Sequence, residues 1–178
     1  MKNHNKQEAL SIIVKCAKMY KENLVDKSLL FVCTIKHKKI HTLEVTFYAG
    51  NFLHLTGIRL TDKKMTASDF FKHCIESRLS INQFEFANDG TTELKLAILP
   101  LLMKSNLSAN EIGDFCGNNA KLYTQKLAGN TKGCIGFVLS DSAKQYLPNT
   151  VLNVDIRDYI KSPLQIIATY RKNKFESH

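Results

Sequence analysis

Apolar residues recur at three- and four-residue spacing near the start of the chain. Leu10, Ile13, Val14, Ala17 and Tyr20 share one side of a helical wheel, which predicts a helix over roughly the first 25 residues. The lysines between them read as its solvated face. The period then changes. Residues 28–35 read as a strand, residues 41–48 alternate as a second, and residues 36–40 form the turn of a hairpin. Helical spacing returns near Thr66-Ala67-Ser68-Asp69, where a Ser or Thr cap precedes Phe70, Phe71, Cys74 and Ile75. Residues 79–84 predict a short helix capped by Ser80. Thr91 or Thr92 opens another through Leu94, Leu96, Ala97, Ile98, Leu101 and Leu102, and Pro100 kinks it or marks its start. The last third reads as strands over 123–128, 134–139, 151–157 and 164–171. Their connections, at Gly129-Asn130, at Ser140-Asp141 with Pro148-Asn149, and at Lys161-Ser162-Pro163, suit an antiparallel meander. The expected fold is α+β and a single domain over 1–178. Residues 1–120 form a mostly helical part with the hairpin near 28–48, and 121–174 form a small antiparallel sheet of about four strands.

Composition narrows the class. With 178 residues and 44% hydrophobic content, the chain can bury roughly two-thirds of its unfolded surface, which argues against global disorder. No apolar run approaches the roughly 20 residues needed to span a bilayer. The polar start lacks the apolar stretch of a secretory signal, so the expected location is the cytoplasm, with no membrane partner. Five cysteines, none close to another in sequence, read as buried reduced thiols rather than a zinc or redox motif. His37 and His41 are four apart, but in a hairpin they do not converge as metal ligands would on a helix. Charge matters more. The net value is +9, with 12 Lys/Arg against 5 Asp/Glu in residues 1–65, 4 against 7 in 66–120, and 9 against 4 in 121–178. Two basic ends make an anionic partner, nucleic acid first, the natural expectation.

Three places could carry chemistry. In Asn51-Phe52-Leu53-His54-Leu55-Thr56-Gly57, an extended backbone would put Phe52, His54 and Thr56 on one side, with Gly57 permitting a bend. An imidazole beside a hydroxyl can bind phosphate or move protons near neutral pH, though a lone histidine is weak evidence for catalysis and a structural histidine beside a turn is the simpler account of the segment. In 151–157, Asn153, Asp155 and Arg157 would share a strand face, either as a guanidinium fork for phosphate or as a solvated ion pair. Tyr170-Arg171-Lys172-Asn173-Lys174 interleaves an aromatic with cations, as a nucleic-acid path or a solubilising tail, and Lys121, Lys126 and Asn130 form a looser polar set. There is no Walker loop, no GxSxG elbow, no HExxH and no glycine-rich dinucleotide turn.

The combination of the 51–57 segment, the Phe70-Phe71 helix and Leu147-Pro148-Asn149-Thr150-Val151-Leu152-Asn153-Val154-Asp155-Ile156-Arg157 resembles the fourth phage-borne family of nuclease-like domains in the group named for Barnase, EndoU, colicin nucleases and RelE. The similarity spans about residues 10–172, and its motifs are specific only together. It implies a metal-independent ribonuclease without cofactors, acting as a toxin or effector of a mobile element, with RNA as substrate and an immunity or antitoxin protein as partner. Carried onto this sequence, it makes His54 the general acid or base and Thr56 a phosphate or imidazole ligand. Arg157, steadied by Asp155, becomes the phosphate clamp, and Lys126, Asn130, Tyr170 and Lys172 line the RNA path. The competing readings are a non-catalytic nucleic-acid-binding or regulatory module and a structural component of a mobile element. Convergence of His54, Thr56 and Arg157 in one open cleft would favour the enzyme.

Overall fold

The computed structural model describes residues 5–35, 39–117, 123–141 and 144–173. Helix α1 (Lys6–Asn23) starts where the Asn5 side chain accepts from the Glu8 backbone N–H at 2.8 Å and the Glu8 carboxylate accepts from the Asn5 N–H. This reciprocal cap satisfies N–H groups that have no helical partner. Ala9, Ile13, Cys16, Ala17 and Tyr20 are buried, while Lys15, Lys18 and Lys21 face solvent. Strands β1 (Lys27–Ile35) and β2 (Lys39–Phe47) pair antiparallel from Lys27↔Phe47 to Ile35↔Lys39, so the hairpin is present. Its tip at 36–38, and His37 with it, lies outside the described residues.

The middle of the chain holds α2 (Phe52–Thr56), β3 (Ile58–Leu60), α3 (Ala67–Ile75), β4 (Phe84–Phe86) and α4 (Thr91–Leu102). Thr66 caps α3 in a reciprocal pair with Asp69. Among the described residues, strands β3 and β4 pair only with each other. The expected short helix over 79–84 is absent: the Ser80 N–H donates to Gln83 Oε1 at 2.8 Å, a local bond that satisfies the backbone outside a helix, and the chain enters β4 instead. Pro100 sits inside α4, two residues before its end. Among the described residues, no helix is long and apolar enough to cross a membrane.

The expected small C-terminal sheet of about four strands is overturned. Strands β5 (Glu111–Phe115), β6 (Lys126–Gly129), β7 (Cys134–Ser140), β8 (Gln145–Leu152) and β9 (Ile160–Asn173) join the hairpin in one closed sheet of seven, ordered β1-β2-β8-β7-β6-β5-β9. The long β9 closes it by pairing antiparallel with β1 on one side and β5 on the other. The sheet is mixed, because β2 and β8 run parallel where Val45 meets Tyr146. The expected breaks at Pro148 and at 161–163 fall within strands. Pro148 lies in β8 at a register shift, and Ser162 lies in β9 with φ +50 beside another. Both are irregularities where a strand tolerates a missing donor or an unusual backbone. The strand expected over 151–157 ends at Leu152, because the Asp155 side chain accepts from the Arg157 backbone N–H at 3.0 Å and turns the chain into a 3-10 segment, Ile156–Asp158. The one expected over 123–128 begins only at Lys126.

Packing positions the rest. Tyr20 from α1 lies edge-on to Phe47 of β2 and Phe71 of α3, with ring centroids 6.0 and 5.8 Å away. Its hydroxyl donates to the Tyr48 carbonyl at 3.0 Å. Four of the five cysteines are buried, and all five are free thiols.

Candidate active site

Antiparallel neighbours point their side chains to the same side of a sheet. Cys33 of β1 is opposite His41 of β2, and Asp114 of β5 is opposite Lys126 of β6. All four line one cavity of about 310 Å³ at the barrel end where β1 finishes at Ile35, with Leu43, Ile112 and Leu164 as apolar wall. Asp114 and Lys126 form an ion pair. His41 is half-buried, and among the described residues its Nε2 is buried without a hydrogen-bond partner. A buried polar atom left unpaired costs free energy, so it marks either strain or a place for a ligand atom. Burial pushes the Cys33 thiol up from its ordinary range, so the sulfur is a neutral wall rather than a thiolate nucleophile. Ile35, Thr42, Gly113 and Ser162 complete the lining.

The segment 51–57 is not extended. A 3-10 turn at Ala49–Asn51 leads into α2, so Phe52, Leu55 and Thr56 are buried and His54 is exposed. Phe52 sits 5.2 Å from the Tyr20 ring, 5.5 Å from Phe71 and 6.2 Å from Phe70 between centroids, which ties this segment to the Phe70-Phe71 helix. Gly57 ends the helix at φ +71, a conformation costly for other residues. The Thr56 hydroxyl donates to the Leu53 carbonyl at 2.7 Å and accepts from the Ile58 N–H. Lys95 of α4 donates to the His54 carbonyl at 2.9 Å, and its stem crowds Gly57, where an added Cβ would lie 2.7 Å from its Cδ.

Arg157 is gripped by Asp155 through Nε at 3.0 Å and Nη2 at 2.6 Å. The guanidinium holds the Asp155 carboxyl below the usual range, and Asp155 in turn raises the arginine, helped by Glu111 and Asp158. Asn130 is next to this turn: its carbonyl accepts from the Ile156 N–H, while its side chain donates to the Ser108 carbonyl and accepts from the Lys132 N–H. Among the described residues, no hydrogen bond or ion pair joins His54 or Thr56 to Arg157, nor Lys126 to either. Tyr170 and Lys172 are exposed on β9, opposite Leu30 and Ser28. They stand eight or more residues along the strand from Ser162, roughly 25 Å. Lys121 and Lys174 lie outside the described residues.

Sequence reasoning weighed His41 only as a metal ligand and missed Asp114. His41, Leu43, Val45 and Phe47 share a parity whose later members are buried, so the inward direction of His41 was there to be read. Asp114 lies on a strand that was not expected.

Residues 12–178 match the model of a family described as phage-Barnase-EndoU-ColicinE5/D-RelE like nuclease4. No curated protein and no solved structure matches the chain.

Proposed function

The chain belongs to this family of phage-associated nucleases, and on that premise we propose that it is a metal-independent endoribonuclease whose reaction runs in the cavity holding His41, Asp114 and Lys126. The observation that carries the reading is an unpartnered imidazole nitrogen sharing one cavity with a lysine–aspartate pair. RNA brings its own nucleophile, so the protein need only move a proton and stabilise charge. His41 takes the 2′-hydroxyl proton through Nε2. The 2′ oxygen forms its bond to phosphorus as the bond to the 5′ oxygen breaks. Lys126, positioned by Asp114, brings positive charge and N–H donors to the phosphate and a proton to the leaving oxygen.

His54 with Arg157 is the second constellation, favoured by the exposed ring of His54 and the preformed Asp155–Arg157 fork. One assay separates the two. Total RNA is incubated in chelator with the wild type and with His41→Ala, Lys126→Ala, His54→Ala and Arg157→Ala. The expected outcome is cleavage that falls about a hundredfold or more in His41→Ala, the usual worth of a general base, and persists in His54→Ala. Cleavage lost in His54→Ala and Arg157→Ala but kept in His41→Ala would move the chemistry to the second place. Salt-sensitive RNA binding with no cleavage would favour the non-catalytic module.

A further inference from the structure

A second cavity, about 520 Å³, lies next to the first and shares Ile35 and Ser162 with it. Its volume is in the range of small-ligand sites, about 300–1,000 Å³. Gln165 of β9 is the direct partner of Thr34 on β1 and of Glu111 on β5. The three side chains therefore form a polar row on one face, roughly 10 Å long across three strands. All three line the cavity, with Asn110 beside Glu111. Two of their atoms are buried and, among the described residues, have no hydrogen-bond partner, Thr34 Oγ1 and Glu111 Oε2, and Thr34 is only 2% exposed. Arg157 feels the charge of Glu111 but, among the described residues, forms no hydrogen bond with it; its side-chain bonds go to Asp155. Ile35, 43% exposed, and Pro163 add an apolar edge against which a flat ring can lie.

A row of unpaired oxygen acceptors and amides beside an apolar edge has the chemistry of a base-reading site. A carboxylate only accepts, so it selects a ligand with donors side by side. Among the RNA bases, guanine alone presents two adjacent N–H donors, N1–H and the N2 amino group. We propose that this second cavity is a guanine subsite, in which Glu111 accepts from N1–H and N2–H while Thr34 and Gln165 meet the remaining polar edge. Cys33 and Thr34, Ile112 and Glu111, and Leu164 and Gln165 are neighbours that face opposite sides of the sheet, so the two cavities meet only at Ile35 and Ser162, and RNA with its base here passes over that rim to the first cavity. The assignment rests on the ribonuclease reading above.

Binding tests it without cleavage. The four nucleoside 3′-monophosphates are titrated into the full chain by calorimetry, with Glu111→Gln and the exposed-position variant Gln165→Leu in parallel. The guanine nucleotide is expected to bind about tenfold or more tightly than the other three. That preference collapses in Glu111→Gln and weakens in Gln165→Leu, which reports on the row even if Glu111→Gln does not fold. Equal affinity for all four nucleotides, or a guanine preference untouched by both substitutions, would overturn the subsite. Guanine-selective binding without RNA cleavage would support the subsite and remove the ribonuclease reading alone. Cleavage with base-blind binding would do the reverse.

Discussion

Lys95 shows how one side chain both builds and taxes the structure. Its ammonium meets the His54 carbonyl in α2, in the last turn of a helix where carbonyls lack an internal partner. Burial lowers its pKa from 10.5 to about 8, an effect only partly offset by Asp89. Between those two values the unfolded chain holds more protons than the folded one, so stability rises with pH through that window. Below about pH 8 both states carry the proton and the penalty for burying the charge is complete. Thermal melts at pH 7, 9 and 10 should therefore show wild type gaining on Lys95→Met as pH rises. A difference between the two proteins that stays constant across those pH values would show that the amine titrates normally in the fold.

At the scale of elements, α2 has five residues and cannot hold itself as a helix, since isolated helices need about 12–15. Phe52 holds it, packed among Tyr20, Phe70 and Phe71. Phe52→Ala is expected to cost about 3–5 kcal/mol in urea unfolding, as for other fully buried aromatics; a loss under about 1 kcal/mol would mean that α2 is docked by something else. The same short segment shows where sequence reading stops. Over seven residues a two-residue and a 3.6-residue period are hard to tell apart, and the choice fell to distant aromatics. Longer or capped elements were readable: α1 from its spacing, α3 from Thr66 and Asp69, the hairpin from its alternation. In 151–157 the apolar alternation was real, but one Asp155 side-chain bond to the Arg157 N–H outweighed it. The cavity was half readable. Lys126 stood out as a cation, whereas its partner Asp114 and the inward His41 depend on pairing between strands.

At the scale of the molecule, the decisive contact was the least visible one. The β1–β9 ladder joins Lys27 to Asn173 and Ser28 to Lys172, uniting the two basic ends of the sequence in one seam. Nothing local announces such a pairing, because the loop it closes is nearly the whole chain. Its electrostatic trace is direct: Lys27 is lowered by burial first and by neighbouring Arg171 second. Like charges held together in this way gain when an anion arrives, and exposed Tyr170 stands beside them as a surface for a base to stack on. Nucleic-acid affinity should then carry a strong salt dependence. For single strands the logarithm of affinity falls with that of salt by about 0.7 per phosphate neutralised, so contact with three phosphates weakens binding roughly tenfold or more between 50 and 200 mM salt. RNA carrying 2′-O-methyl groups throughout lacks the nucleophile, so it allows binding to be measured apart from cleavage. Replacing Arg171 and Lys172 with Ala should flatten that slope while leaving cleavage of a dinucleotide, too short to reach from the cavity to the seam, unchanged. A slope identical in the double variant would place the RNA path elsewhere on the surface.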